Sequence, residues 1–280
     1  MNIRISLLFV SVFFFSAFCF AQIPHCVQFP LVYSELGIPI TRLNINRRTF
    51  DCVVDLGMKK ALSLEAALVE DIFGKTMKLS PNLFSDLSGH SAKTMEGFSA
   101  ILNINHFLFK KIRFAVHHPW GLYLNTDAKT HPMPNNTLGR DLFLSQKGVL
   151  YYSRSKKILK WCDHPLPTYL NNTKIIWFPL KEDAEGIHIP VKDNQKFLDF
   201  ILDSAATVSL LKDKKCLENE PNLVFLKGIN IQNTPIQTLI YRFKFPKDFK
   251  SDGLLGDSFF KDWDLIIDTF AQKVGLVFLG

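Results

Sequence analysis

The chain repeats itself, and that repeat limits its fold more than any other feature. "FDCVVDLGMKKALSL" (50–64) lies over "LDFILDSAATVSLL" (198–211) without a gap in its first eleven positions. Asp51 matches Asp199, the run Cys52-Val53-Val54 matches Phe200-Ile201-Leu202, and Asp55 matches Asp203, an offset of 203 − 55 = 148 residues. Further on, "TLGRDLF" (137–143) lies over "LLGDSFF" (254–260). Each is followed by two short apolar strands around a polar turn, "GVLYYSRSKKILKW" (148–161) and "WDLIIDTFAQKVGLVF" (263–278). Two matched phrases in the same order predict two halves of related topology.

Within each half the pattern is β. "RLNINRRTFDCVVD", "GFSAILNINHFLFKKIRFAV" and "GINIQNTPIQTLIYRFKF" alternate or bunch apolar residues at strand length, with turns between them. The 26 Phe residues favour β-rich packing. Helical signals are short. "SLEAALVEDIFG" (63–74) predicts a helix capped by Ser63 and stopped by Gly74, and "LGRDLFLSQ" and "LGDSFFKDW" predict a turn or two each. The Pro- and Asn-bearing stretch "HPLPTYLNNTK" (164–174) is the expected linker. The expected organisation is a leader at 1–21, a first lobe at 22–163 and a second at 175–280. The first half is the longer, mostly through the 117–136 loop, which is placed to lie over a cleft.

The leader is read from "MNIRISLLFVSVFFFSAFCFAQ": Arg4, a long apolar run, then "CFA" before Gln22. That is a secretory signal with cleavage after Ala21. The run falls short of the roughly 20 residues of a membrane span, which disfavours an uncleaved anchor. An exported chain is expected, periplasmic or secreted if bacterial, with no stable membrane insertion after cleavage. Cleavage leaves Cys26, Cys52, Cys162 and Cys216, which allow three pairings in an oxidising compartment. Cys52, inside an apolar strand, also reads as a simple buried thiol. The net charge of +7 comes from scattered lysines with no Arg-rich run, so no nucleic-acid partner is expected.

The repeated acid carries the chemistry. One carboxyl per half, each ending an apolar strand before a turn, brings Asp55 and Asp203 together if the halves pack with pseudo-twofold symmetry. Two carboxyls about 3 Å apart do not both ionise easily, and the shared proton suits hydrolysis: one partner takes a proton from water while the other donates to a carbonyl.

"ILDSAATVSLL" resembles the active-site turn of pepsin-like and retropepsin-like aspartic proteases, Asp-Thr/Ser-Gly/Ala-Ala-Ser/Thr, and "DGLLGDSFF" resembles the Gly-bearing segment that follows in the same lobe. The resemblance spans most of residues 45–278, once per half. It implies an all-β, bilobal acid-protease-like fold: two pseudo-symmetric, β-barrel-like lobes with a few short helices, flanking a peptide cleft. Asp55 and Asp203 would be the dyad, with Leu56, Gly57, Ser204, Ala205 and Thr207 in the active-site turns. In the family a hydroxyl after each acid bonds across to the opposite lobe. Ser204 supplies one; Leu56 does not. Met58 and Lys59 stand where the second half has Ala206 and Thr207, so Met58 is expected to narrow the cleft, and Lys59 or Lys60 to favour ionised carboxylates. Gly57 leaves room for a backbone N–H to approach Asp55.

Two functions follow. One is a secreted, monomeric aspartic endopeptidase acting on an extended peptide or protein in the inter-lobe cleft. The other is a catalytically silent descendant that keeps the cleft to bind a peptide or partner. No cofactor and no metal are expected: His117-His118 lacks a third ligand nearby, and no cysteine pair has metal spacing. Serine-hydrolase, zincin and phosphate-loop motifs are absent. Asp51 and Asp199 are expected on the solvated strand face, and Gly139 and Gly256 to serve backbone geometry alone.

Overall fold

The computed structural model describes residues 26–74, 77–85, 91–117, 133–165, 174–193, 196–213, 222–224, 229–236, 238 and 240–280. The expected leader, Cys216, His118 and most of both the 117–136 loop and the linker lie outside them.

The first half begins with β1 (Cys26–Tyr33), β2 (Pro39–Ile45), β3 (Arg48–Asp55) and β4 (Leu62–Glu65). Helix α1 (Ala66–Phe73) follows, then β5 (Leu79–Ser85), β6 (Ser91–Ile104) and β7 (Phe107–His117). It closes with β8 (Asn136–Gly139), α2 (Asp141–Leu144), β9 (Val149–Ser153) and β10 (Ile158–Cys162). The second half opens with β11 (Ile175–Pro179), β12 (Ile187–Asp193), β13 (Lys196–Leu202) and β14 (Ser209–Lys212). Four short strands follow: β15 (Asn222–Val224), β16 (Ile229–Ile231), β17 (Thr234–Pro235) and β18 (Ile240–Phe243). The chain ends with β19 (Gly253–Leu255), α3 (Asp257–Phe260), β20 (Trp263–Asp268) and β21 (Lys273–Phe278).

The offset of 148 carries β2 onto β12 and β3 onto β13 with matching ends to within a residue. In each half the strand that leads to the acid pairs in parallel with a later strand: β3 with β8, β13 with β19. That later strand lies between the acid's strand and the next one, giving the orders β3-β8-β4 and β13-β19-β14. The turn after each acid therefore has to cross over the end of β8 or β19, where Gly139 and Gly256 stand. A Cβ on Gly139 would lie 2.0 Å from the Lys60 carbonyl oxygen, and one on Gly256 would lie 2.3 Å from that of Val208. Lys60 and Val208 are themselves 148 apart, so the duplication holds at the level of single contacts.

The halves are not separate modules. β11, β21 and β20 of the second half pair with β9, β10 and β1 of the first in one continuous sheet, with β9 against β20 at the join. β20 is buried along its whole length, as a strand covered on both faces should be. β1 pairs with β10 up to Pro30 and with β2 from Leu31, tying this shared sheet to the first half's own. Cys26 and Cys162 face each other across β1 and β10 and form a disulfide, which rules out the two pairings that join Cys26 to Cys52 or to Cys216. Cys52 is a buried free thiol.

The predicted helix starts two residues late. Ser63 lies in β4 and its hydroxyl meets His117 Nδ1 at 3.0 Å, while α1 follows Glu65 with no side-chain cap. β4 is drawn into the sheet by parallel pairing with β7, a tertiary contact that overrides the local capping signal. Gly74 does stop the helix, at φ 81°. The first half's extra length is not only the 117–136 loop: α1 and the long β6–β7 hairpin have no counterpart of similar size among the described residues of the second half. No helix among the described residues is long and apolar enough to cross a membrane.

Candidate active site

The two crossing turns face each other at the junction of the halves. Asp55 ends β3, Asp203 follows β13, and their carboxyls stand close enough for each to act on the other's titration. Each turn supplies backbone donors at equivalent positions. The N–H groups of Gly57 and Met58 (2.9 Å) point at the Asp55 carboxyl. Those of Ala205 and Ala206 donate to Asp203 Oδ1 at 3.0 and 3.1 Å. Gly57 does more than free its own N–H: a Cβ there would lie 2.8 Å from Asp203 Cγ, so the opposite acid occupies its side-chain space.

Both acids are half-buried, with protein packed around them. Desolvation pushes the Asp55 carboxyl up to about 7, with the neighbouring Asp203 adding to the rise and the Met58 and Gly57 N–H groups and Arg140 opposing it. Desolvation raises Asp203 too, against its two N–H donors, Asp55 and Arg140. The pair titrates as a unit, and burial plus mutual repulsion keep a proton on it well above the ordinary carboxylate range.

The hydroxyl of Ser204 bridges the halves. It accepts from the Leu56 N–H and donates to the Val54 carbonyl, both at 2.9 Å. Leu56 makes no such bond with its side chain, which is fully buried in a core containing residues of both halves. Ala205 and Thr207 complete the second turn and are half-buried.

Two expectations about the first turn are corrected. Met58 does not narrow the cleft: it is buried, and its methyl end packs where a Cβ of Gly139 would be. Nor is the cation acting on the carboxyls a lysine of this turn. Lys59 is exposed and Lys60 is paired with Glu96 on β6. Arg140, fully buried, is the cation whose charge reaches both acids. Sequence reasoning passed over it as one of two unmatched positions after Gly139. The available signal was its setting, a cation inside an otherwise apolar phrase that the repeat had already marked as internal.

Asp51 is exposed and paired with Arg42, and Asp199 with His188, so both lie on the solvated face as expected. Cys26, Cys162 and His164 bring three ligand atoms within 4.8 Å of one another, with both sulfurs engaged in the disulfide.

No family model and no curated protein matches this chain. Among solved structures, that of basic 7S globulin from soybean is similar over 91% of this chain and 96% of that one, with a TM-score of 0.56 at 10% identity. That protein has a pepsin-like aspartic-protease fold. The likeness shows the fold, all-β and acid-protease-like, and leaves activity to the residues themselves.

Proposed function

We propose that this chain is an exported aspartic endopeptidase that hydrolyses extended peptides between its two halves. The observation that carries the reading is the pair of neighbouring carboxyls, each held by backbone N–H groups at equivalent places, with burial and mutual repulsion favouring a retained proton. A water held between Asp55 and Asp203 would lose a proton to the ionised oxygen as its own oxygen attacks the peptide carbonyl carbon. The protonated carboxyl would donate to the carbonyl oxygen, giving a neutral diol. Collapse of the diol breaks the C–N bond as a proton passes to the leaving nitrogen. The peptide would bind as an added strand, and the protein would work as a monomer. Export is supported by the leader and by the Cys26–Cys162 disulfide, which would fasten the new N-terminus five residues after cleavage behind Ala21.

A second reading rests on Leu56. With no hydroxyl at this position and the side chain built into the core, the cleft would bind a peptide without cutting it. The deciding experiment incubates the mature chain with a mixed peptide library from pH 3 to 7, with and without a statine-type inhibitor. Cleavage that the inhibitor blocks, and that Asp55→Asn and Asp203→Asn each abolish, supports the peptidase. Retention of peptides without products supports the binding protein.

A further inference from the structure

We propose that Arg140 is a positioning residue that clamps the first aspartate turn onto the second half of the chain, supplying the anchor that Leu56 lacks. Its guanidinium donates to the carbonyl oxygen of Gly57, inside the first turn, and to that of Asp183, in the β11–β12 connection of the second half. The Glu182 carboxylate lies 3.6 Å from its Nε, which has no hydrogen-bond acceptor among the described residues. The backbone N–H of Arg140 donates to the Met58 carbonyl at 3.0 Å, so main chain and side chain grip adjacent residues of one turn. Burying a guanidinium completely is costly unless its charge and donors are met. Here Glu182 faces the charge, and the two guanidinium hydrogen bonds go to the segments whose relative position fixes the carboxyl pair.

The equivalent residue in the other half argues that this use is specific. Asp257 also follows the crossing glycine, and its N–H donates to Ala206 as that of Arg140 does to Met58. Its side chain turns elsewhere, into a bidentate pair with Arg154 and against Gly37 in the β1–β2 turn. The second turn has no need of it, because the Ser204 hydroxyl already fixes that turn to Val54 and Leu56. The Ser204 hydroxyl thus holds the two turns to each other, and the guanidinium adds a second tie, from the first turn to the β11–β12 connection. The same charge also opposes the rise in both acids' pKa values.

The activity arm of the test rests on the peptidase reading, and the titration arm does not. Arg140→Met and Arg140→Lys are compared with the unaltered chain by carboxyl-carbon NMR titration of the aspartates and by pH profiles of kcat and KM on a cleaved peptide. Arg140→Met is expected to move the pair's titration upward and to lower kcat about 100-fold with little change in KM, as a misplacement of about 1 Å would. Arg140→Lys keeps the charge but has no fork to hold two carbonyls. It is expected to restore the titration and not kcat, and it serves alone if Arg140→Met does not fold. Either variant with wild-type kcat, or an Arg140→Met titration unmoved while only thermal stability falls, overturns the proposal. If the unaltered chain has no turnover, the peptidase reading fails and the titration alone decides whether Arg140 governs the pair.

Discussion

At the scale of the residue, Leu56 and Cys52 show what the core has already settled. Replacing Leu56 by Thr would give the first turn a hydroxyl like that of Ser204 in the second, but the side chain is fully enclosed and its backbone N–H is committed to Ser204. The smaller residue leaves a void and buries a hydroxyl, so Leu56→Thr is expected to cost about 1–3 kcal/mol in denaturant unfolding. No gain in turnover is expected, since the turn is held from its other side. A more stable Leu56→Thr chain would mean that the site still has room for the hydroxyl bridge. Cys52 is fully buried, and desolvation holds its thiol well above the ordinary value. It should resist alkylation in the folded chain and react once denaturant opens the core, which mass spectrometry would read directly.

At the scale of the element, the crossing of turn and strand is the feature both halves cannot relax. Gly139→Ala and Gly256→Ala each place a methyl within 2.3 Å of a carbonyl oxygen of the turn above, with backbone rather than a flexible side chain in the way. Each is expected to destabilise by about 3 kcal/mol or more, at the upper end of overpacking costs, with loss of the shared turn geometry. A variant that unfolds within about 0.5 kcal/mol of the parent would place the glycine in open space instead. This crossing was legible in the sequence, because a repeated Leu-Gly before a short helix recorded the same constraint twice. The acids were legible for the same reason. What stayed hidden were contacts made once. Arg140 reaches Glu182 and Asp183, which no repeat pairs with it, and its counterpart Asp257 has the opposite charge. The Cys26–Cys162 bond depends on the register of β1 against β10, set by the shared sheet and not by spacing along the chain. Ser63 misled because its capping pattern is local while β4 is held by β7 from a distance.

At the scale of the whole molecule, Asp55 and His188 slope stability the same way above pH 4, and Asp183 opposes them below it. Between the ordinary Asp value of 3.8 and about 7, folded Asp55 keeps a proton that the unfolded chain has released, so its contribution falls as pH rises. His188 sits between Asp183, 3.0 Å from its Nε2, and Asp199, 2.8 Å from its Nδ1. Desolvation works against its charge, but the two carboxylates outweigh it and raise its pKa above 6.5. Its contribution is therefore complete below about 6.5 and is lost as pH climbs through the raised value. Asp183 gives the acid limb. Its burial opposes ionisation, yet His188 and the Glu185 and Gly186 N–H groups hold its pKa below the usual 3.8, and this contribution disappears as pH falls through the lowered value. Stability should therefore peak in the acid range, near pH 4–5, and decline toward pH 8. Urea midpoints measured at half-unit intervals check this. Asp55→Asn should flatten the decline between pH 4 and 7 and leave a chain more stable than the parent at pH 7. His188→Gln should remove the later part of the decline and lower stability at pH 5. A parent curve that rises from pH 5 to 8, or an Asp55→Asn curve that keeps the full slope, would show that the carboxyl pair holds no excess proton in the folded chain. The basis for shared-proton hydrolysis would then be gone.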